Sequence, residues 1–347
     1  MRQLLSALSL GMLFSTGNVL PAASCQSVPG SIVLAYGADP AQYINVFHPQ
    51  APKYVPSPAV VYFPGGGFMS VIDDFATGSQ ELAKFLAEGW IVAVVHYRTG
   101  FNQYPVAQED AVTAVQALQL NAASLGIDTQ RVAGLGRSTG ASLATYVATL
   151  PDQADPAAAD PIKRQSSRLL ADVVNLNGSV AWHLMGARST NLDPPGQAQY
   201  FGVPNDPLTA DALWDAYPLA NKKGISALYL APLLPVENAL VSIFSFAKNA
   251  DVPGSAISNW HDPEMAQLLT AAMNGLGNYQ SAFKQVVGAS FPQEYDEAVA
   301  WLKTHIPVTI YGMGYSGTSN PPPGLDVASL GANGGVYVKG LSPGNSV

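Results

Sequence analysis

Short apolar runs alternate with stretches of helical pattern through the first half of the chain. The apolar runs predict strands at 59–63, 90–97, 131–135 and 172–176. The stretches between and after them predict helices at 80–88, 106–125 and 141–150. Strands that alternate with helices are typical of βαβ units, in which crossover helices join parallel strands. The pattern therefore predicts an α/β fold with a mostly parallel central sheet flanked by helices.

The second half of the chain has a less regular pattern. Residues 183–224 are rich in Pro, Asn and Asp, and their mixed pattern predicts a cap inserted into the domain. Strands are predicted at 225–230 and 308–311, and mainly helical stretches at 238–249 and 264–304. From residue 317 to residue 347, Gly, Pro, Asn and Ser are frequent, which predicts an irregular tail. We therefore expect one α/β domain over residues 25–316, with the cap inside it.

The N-terminus has the order of segments found in secretory signal peptides. Arg2 precedes an apolar run at 4–14, and small residues follow at 21–24. The run is shorter than the roughly 20 apolar residues that span a bilayer, and no later window predicts a stable membrane span. We expect residues 1–24 to be removed and the protein to be secreted or periplasmic. Cys25 lies where a bacterial lipoprotein carries its lipid, so a lipid anchor is the alternative, although Ala22 stands where such sites usually have Leu.

The composition excludes several classes of protein. Of the 347 residues, 48% are hydrophobic and 12% are charged, which excludes a disordered chain. The formal net charge is −8 and no basic run is present, so we expect no nucleic-acid partner. Because Cys25 is the only cysteine, an internal disulfide framework and a multi-cysteine metal site are both excluded.

One motif predicts a nucleophile. The stretch Gly136-Arg-Ser138-Thr-Gly140 lies between the predicted strand at 131–135 and the predicted helix at 141–150. Glycines two positions before and after a serine relieve crowding in a tight strand-to-helix turn, so that the hydroxyl projects at the end of the strand. The helix N-terminus behind it favours negative charge. The context predicts that Ser138 is a catalytic nucleophile.

A second glycine motif predicts the partner of that nucleophile. Three successive glycines, Gly65 to Gly67, follow the predicted strand at 59–63. Glycine allows a backbone to turn its N–H groups toward a reacting carbonyl at close range, as an oxyanion hole requires. The order and spacing of the two glycine motifs are those of a single active site.

With these motifs the chain resembles the α/β-hydrolases of the hormone-sensitive-lipase-like and acetyl-esterase-like group, the α/β-hydrolase fold-3 serine esterases. The stretches that carry the resemblance are Val61-Tyr-Phe-Pro-Gly-Gly-Gly-Phe68, Val94-Val-His-Tyr-Arg98, Tyr104-Pro-Val-Ala-Gln-Glu-Asp110 and Leu125-Gly-Ile-Asp128. The resemblance implies an α/β-hydrolase fold and hydrolysis of small carboxylic esters by a Ser-His-acid triad through an acyl-enzyme, with no cofactor and no metal. It also implies oxyanion donors at the backbone amides of Gly66, Gly67 and Thr139.

Two residues depart from the pattern of this group. The group usually has a histidine before the three glycines, where it braces the loop through hydrogen bonds, and this chain has Pro64. An acidic or apolar residue usually precedes the nucleophile, and this chain has Arg137. We therefore expect a differently set oxyanion hole, and for Arg137 either a solvated side chain or an effect on the leaving group.

The base must be a histidine that follows the serine in the chain. His261 follows Val252-Pro253 and the stretch 254–258, and the resemblance implies a Val-Pro before the last strand with the histidine in the loop behind it. We predict that His261 is the base. The rival is His305, which precedes the predicted strand at 308–311. If that strand is the last one of the fold, Tyr315 and Ser316 stand where the histidine is needed. The remaining histidines are predicted to be structural: His48, His96 and His183.

The acid of the triad is less well marked. The resemblance implies an aspartate after the predicted strand at 225–230, shortly before a Val-Pro turn, but Pro232 occupies the expected place. Glu237 is the nearest carboxylate and is the predicted acid. The alternatives are Asp206 and Asp262.

Two further points concern the substrate and the function. Aromatic and apolar residues in or beside the predicted cap would suit an apolar acyl or alcohol group, or would pack within the cap: Trp182, Met185, Tyr200, Phe201, Trp214 and Tyr217. The alternative functions are a hydrolase-fold binding protein with a degenerate triad, and a serine peptidase or amidase of the same fold.

Overall fold

A computed structural model describes most of the chain between Gly30 and Ile306. The described residues are 30–75, 78–182, 199–202, 219–234, 241–248, 263–276, 280–306, 309–310, 327–330 and 336–338. The predicted signal peptide and most of the predicted cap lie outside them. So do several candidate site residues, namely Asp206, Glu237, His261 and Asp262.

Eight of the described strands form one sheet. They are β1 (Ser31–Ala35), β2 (Tyr43–Phe47), β3 (Ser57–Phe63), β4 (Ile91–His96), β5 (Ile127–Arg137), β6 (Val173–Leu176), β7 (Ile243–Ala247) and β8 (Ala282–Gln285). Their order across the sheet is β1-β2-β4-β3-β5-β6-β7-β8. Strand β2 is antiparallel to its neighbours β1 and β4, whereas the strands from β4 to β8 are mutually parallel. The parallel strands therefore all end at the same side of the sheet, which we name the carboxyl edge.

Helices cover both faces of the sheet. The helices among the described residues are α1 (Gln80–Ala87), α2 (Val106–Leu125), α3 (Thr139–Ala148), α4 (Leu219–Gly224), α5 (Ala227–Leu230), α6 (Pro263–Gly275) and α7 (Phe291–His305). One core lies between the sheet and α2, α3 and α6, and the other lies between the sheet and α1 and α7. None of the helices in the described ranges is both long and apolar enough to cross a membrane.

The two cores explain the strand sequences. Successive side chains of a strand point to opposite faces, so Val61 lies in the core with α2 and α3, whereas Val60 and Tyr62 lie in the core with α1 and α7. A strand that is buried on both faces needs a continuous apolar run rather than an alternating one. This is the pattern from which the strands at 59–63, 90–97, 131–135 and 172–176 were predicted, and all four are present with shifted ends.

Local signals also fix the helix ends. Helix α1 begins after Ser79, whose hydroxyl accepts a 3.2 Å hydrogen bond from the Leu82 N–H. Helix α2 has the predicted bounds and ends at Gly126, whose φ of 67° is the left-handed conformation that glycine tolerates. Helix α7 follows Ser290, whose N–H donates to the Gln293 side chain at 2.9 Å, half of a capping box.

Two predictions for the second half of the chain are wrong. The predicted strand at 225–230 is instead largely the helix α5, and the predicted helix at 238–249 contains the buried strand β7. The stretch at 264–304 is mainly helical, as predicted, although it also contains β8. Periodicity alone does not distinguish a short buried strand from a turn of buried helix, which explains these errors.

The end of the chain also differs from the prediction. Strand β9 (Thr309–Ile310) lies within the predicted strand at 308–311, but it belongs to a separate three-stranded sheet with β10 (Val327–Leu330) and β11 (Val336–Val338). The predicted tail at 317–347 is therefore not wholly irregular. Strand β8, and not the segment at 308–311, is the last strand of the large sheet.

Asp172, which directly precedes β6, predicts a pH dependence of stability. Its Oδ1 accepts a 3.1 Å hydrogen bond from the Ser242 N–H at the start of β7. Burial raises the pKa of Asp172 to about 6, although the His305 charge, the Ser242 N–H and the Trp301 indole favour the ionised form. Because this pKa lies above the unfolded value of about 3.9, ionisation of Asp172 opposes folding.

The free energy of unfolding should therefore lose about 2 kcal/mol through this group as the pH rises from 4 to 6, and roughly 0.3 kcal/mol more by pH 7. Asp172→Asn should remove this component, because asparagine keeps an acceptor for the Ser242 N–H and does not ionise. Urea unfolding of both proteins between pH 4 and pH 7 measures the difference. Parallel stability curves for the two proteins would contradict the assignment.

Candidate active site

Ser138 lies in a strained turn at the carboxyl edge, between β5 and α3. Its φ of 53° and ψ of −125° are unusual for a residue with a side chain. A Cβ atom at Gly136 would lie 2.3 Å from the Gly140 carbonyl oxygen, and one at Gly140 would lie 1.9 Å from the Phe63 carbonyl oxygen. Both positions therefore require glycine, because the backbone crosses itself and β3 at close range.

The first turn of α3 surrounds Ser138 with hydrogen-bonded backbone. The Ser138 N–H donates to the Leu176 carbonyl at 2.8 Å, and its carbonyl accepts from the N–H groups of Ala141 and Ser142. The hydroxyl stands at the N-terminus of α3, where unpaired N–H groups favour negative charge. Among the described residues, no side chain forms a hydrogen bond with the Ser138 hydroxyl.

The three glycines after β3 lie directly against this turn. A Cβ atom at Gly65 would lie 2.9 Å from the Arg137 carbonyl oxygen and 3.2 Å from the Ser138 Cβ. Gly66 has a φ of 138°, and a Cβ there would lie 2.1 Å from the Ser70 carbonyl oxygen. The glycine loop and the serine turn, which are far apart in the chain, therefore meet at one point of the carboxyl edge.

The three predicted oxyanion donors differ in their hydrogen bonding. The Gly67 N–H donates to the Thr139 Oγ1 at 3.2 Å, so this amide already has an acceptor. The N–H groups of Gly66 and Thr139 have no acceptor among the described residues. The three amides are therefore not equivalent, because the Gly67 N–H already donates to the Thr139 hydroxyl.

Parts of this chain are similar in sequence to proteins that are named as esterases and hydrolases. Residues 44–200 match the BD-FAE family model. The chain is 26% identical to esterase LipC of Mycobacterium tuberculosis, over 42% of this chain and 36% of that protein. It is 37% identical to an ethyl acetate hydrolase of Pseudomonas putida, over 29% of this chain and 31% of that protein. The chain has an α/β-hydrolase fold.

Solved structures support the α/β-hydrolase fold over a longer part of this chain than the sequence matches do. The esterase Est2 of Thermogutta terrifontis superposes with a TM-score of 0.55 and 20% sequence identity, over 79% of this chain and 92% of that one. By contrast, this chain matches only 36% of the length of LipC and 31% of the length of the ethyl acetate hydrolase. These matches confirm the family resemblance and the fold.

A tyrosine braces the glycine loop. The Tyr97 hydroxyl donates a 2.7 Å hydrogen bond to the carbonyl of Pro64, the residue that replaces the expected histidine. Burial raises the pKa of Tyr97 well above its ordinary value, so the hydroxyl keeps its proton and remains a donor. No local spacing in the sequence indicates this bond, because Tyr97 follows β4 and Pro64 follows β3.

The aromatic side chains beside the predicted cap pack against one another. Trp182, Tyr200 and Phe201 are buried, and Phe68 at the end of the glycine loop is stacked on Tyr200 with ring centroids 4.5 Å apart. The Tyr200 hydroxyl donates to the Gln108 side chain at 2.7 Å. These contacts are those of ordinary packing. Three other predicted members lie outside the described residues, namely Met185, Trp214 and Tyr217.

The three described histidines are engaged elsewhere. His48 forms a 2.8 Å hydrogen bond with the Leu125 carbonyl. His96 is stacked on Tyr43, with its Nε2 atom 3.6 Å from an Asp73 oxygen. His305 is stacked on Trp301 and interacts with Asp172, which precedes β6, so it lies at the opposite edge of the sheet from Ser138. His183 and His261 lie outside the described residues.

The loop behind the last strand of the large sheet contains no histidine. The residues between β8 and α7 are Val286-Val-Gly-Ala-Ser290. The prediction of His261 expects the last strand to precede His261, but β8 follows His261 in the chain. If His261 is the base, it reaches Ser138 from the connection between β7 and α6, and not from the loop behind β8.

The prediction of Glu237 as the acid depends on a strand at 225–230. The strand next to β6 is instead β7, and Glu237 precedes that strand. The first carboxylate after β7 in the sequence is Asp251, which is followed by Val252-Pro253. The signal that could have identified Asp251 is the apolar run at 243–247, which we interpreted as helical. Among the residues that the structure describes, no three histidine, cysteine or carboxylate side chains are grouped to hold a metal ion.

Proposed function

We propose that this protein cleaves carboxylic esters through an acyl-enzyme on Ser138. The observation that carries the proposal is the contact between the strained serine turn and the glycine loop, which brings the Ser138 side chain close to the glycine backbone. Acyl transfer requires a nucleophile and oxyanion donors in this arrangement. The matched relatives named as esterases support the same reaction class.

In the proposed reaction, Ser138 Oγ attacks the ester carbonyl carbon while the base removes the hydroxyl proton. The carbonyl oxygen becomes an oxyanion, which accepts hydrogen bonds from the N–H groups of Gly66 and Thr139. The Gly67 N–H also donates to the oxyanion when it gives up its hydrogen bond to the Thr139 hydroxyl. Collapse of the intermediate releases the alcohol with the proton from the base, and water then hydrolyses the acyl-enzyme by the same steps.

The chain direction around α6 supports His261 as the base. The Asn274 amide donates to the Ser281 carbonyl, and the Ser281 hydroxyl accepts from the Ile243 N–H, so the end of α6 lies where β7 begins. Helix α6 is about 18 Å long at 1.5 Å per residue, so its first residue, Pro263, lies toward the carboxyl edge. His261 is two residues before Pro263 in the sequence.

The same topology favours Asp251 over Glu237 as the acid. Asp251 is the fourth residue after β7 ends at the carboxyl edge, whereas Glu237 is the sixth residue before β7 begins at the opposite edge. A carboxylate that orients the imidazole must reach the edge where Ser138 lies. We therefore propose Ser138, His261 and Asp251 as the triad, with Glu237 as the alternative acid to be tested beside it.

Two measurements test the reaction class. A fluorophosphonate probe should label the folded wild type, because labelling requires an activated serine. Turnover of p-nitrophenyl acetate should exceed turnover of the matched anilide. Absence of labelling in the folded protein would favour a binding protein with a degenerate triad, and anilide turnover equal to or above ester turnover would favour a peptidase or amidase.

A further inference from the structure

Arg137, the residue directly before Ser138, is held between two carboxylates. Its Nη1 atom lies 3.3 Å from the Asp74 Oδ2, and its Nε atom lies 3.6 Å from the Glu294 Oε2. The guanidinium also lies over the Phe291 ring, 4.1 Å from the centroid. The side chain is 23% exposed, so Arg137 is neither freely solvated nor directed only at a leaving group.

The two carboxylates connect Arg137 to other elements at the carboxyl edge. Glu294 in α7 is fully buried and pairs with the Lys248 ammonium, directly after β7. The Lys248 N–H in turn donates to the Asn177 side chain, directly after β6, at 2.8 Å. On the other side, Asp74 accepts a 2.9 Å hydrogen bond from the Tyr62 hydroxyl of β3. We name Arg137, Asp74, Glu294 and Lys248 the charge cluster.

The balance of charge argues for a positioning role and against a ligand site. Two cations face two anions in the charge cluster, so none of its charges remains to bind a charged substrate. Burying such groups is expensive, and an apolar cluster of similar volume often gives equal or greater stability. Stability alone therefore does not account for a buried Glu294 shared between Arg137 and Lys248.

The position of the charge cluster suggests what it holds. Asp74 follows the glycine loop, Arg137 is the residue before the nucleophile, and Lys248 begins the connection that contains Asp251 and His261. The cluster thus joins the three segments that carry the proposed oxyanion donors, nucleophile and base. Misplacement of a catalytic group by about 1 Å can reduce a rate about 100-fold.

We propose that Arg137, held by Asp74 and Glu294, is a positioning residue that keeps the Ser138 turn in register with the glycine loop and with Lys248 at the end of β7. This inference rests on the proposed function. It predicts that loss of the ion pairs lowers the rate at which Ser138 attacks a substrate or probe, even in protein that stays folded.

Arg137→Met tests the inference, because methionine fills part of the volume without charge. The rate constant for fluorophosphonate labelling should fall about 10-fold to 100-fold, and kcat on p-nitrophenyl acetate should fall similarly with KM nearly unchanged. Glu294→Gln should reproduce the fall with almost no change in volume. It also serves as the second variant if Arg137→Met does not fold. Arg137→Lys should restore only part of the rate, because an ammonium does not span both carboxylates as a guanidinium does.

Arg131→Met is the matched control. Arg131 is in the same strand, β5, is 1% exposed and pairs with Asp128 at 2.8 Å, but it lies toward the opposite end of the strand from Ser138. This variant should lower the melting temperature and leave the labelling rate of the folded protein within about two-fold. Folded Arg137→Met or Glu294→Gln protein that is labelled at the wild-type rate would overturn the positioning role alone. A folded wild type that is not labelled would instead overturn the proposed function, and this inference with it.

Discussion

Replacing Ser138 with alanine is expected to lower kcat/KM for ester hydrolysis by about 10⁴-fold to 10⁶-fold, since loss of a serine nucleophile has effects of this size in serine hydrolases. The free energy of unfolding should change by less than about 1 kcal/mol. The hydroxyl forms no hydrogen bond with a described side chain, and alanine adopts the positive φ of this turn no less easily than serine. Steady-state kinetics on p-nitrophenyl acetate and urea unfolding measure the two quantities, and fluorophosphonate labelling should be absent.

Ser142→Ala is the control for this prediction. Ser142 lies one turn further along α3, is buried, and its hydroxyl has no hydrogen-bond partner among the described residues. Its removal should leave kcat/KM within about two-fold and the stability unchanged or slightly higher, because an unpaired buried hydroxyl is lost. Equal loss of activity in both variants would show that packing of α3, and not the Ser138 hydroxyl, is responsible.

The serine turn and the glycine loop were predictable from sequence because their requirements are local. A strand, a glycine on each side of a serine and a helix specify the close backbone crossing at Gly136 and Gly140 within a few residues. The continuous apolar strands and the cap of α1 are local signals of the same kind. Local signals of this kind placed the first half of the sheet and its helices.

The supports of the site were not predictable in this way, because they depend on strand order. Tyr97 reaches Pro64 because β4 lies beside β3, and Arg137 meets Glu294 because α7 packs against β6 and β7, next to β5. These pairs are 33 and 157 residues apart in the chain, so no local spacing connects them. The two departures from the family pattern, Pro64 and Arg137, were visible in the sequence, but their partners were not.

One misassigned element changed the candidate for the acid. The run Ile243-Phe-Ser-Phe-Ala247 is short, apolar and buried on both faces, so its pattern is equally compatible with a helix. Because this run is strand β7, it ends at the carboxyl edge, four residues before Asp251 in the sequence. Ser138, Asp251 and His261 then follow the chain order nucleophile, acid, histidine. Ser138 and Asp251 each follow a strand that ends at this edge, and His261 precedes a helix that begins toward it.

Removal of either proposed triad partner is expected to have the second largest effect. His261→Ala should lower kcat by about 10⁴-fold or more, because the serine then has no base. Asp251→Asn should lower kcat by about 10⁴-fold, because an amide favours the wrong imidazole tautomer and does not stabilise the imidazolium. Both variants should keep the KM for p-nitrophenyl acetate within a few-fold, since neither residue is proposed to hold the substrate.

Matched substitutions decide between the proposed triad and its alternatives. Glu237→Gln, Asp206→Asn and Asp262→Asn each remove one of the other candidate carboxylates, and His183→Ala removes the other histidine outside the described residues. All four should retain kcat within about five-fold, because the proposed triad does not include them. A 10⁴-fold loss in Glu237→Gln with an active Asp251→Asn would restore Glu237 as the acid, and it would require the chain before β7 to cross to the carboxyl edge.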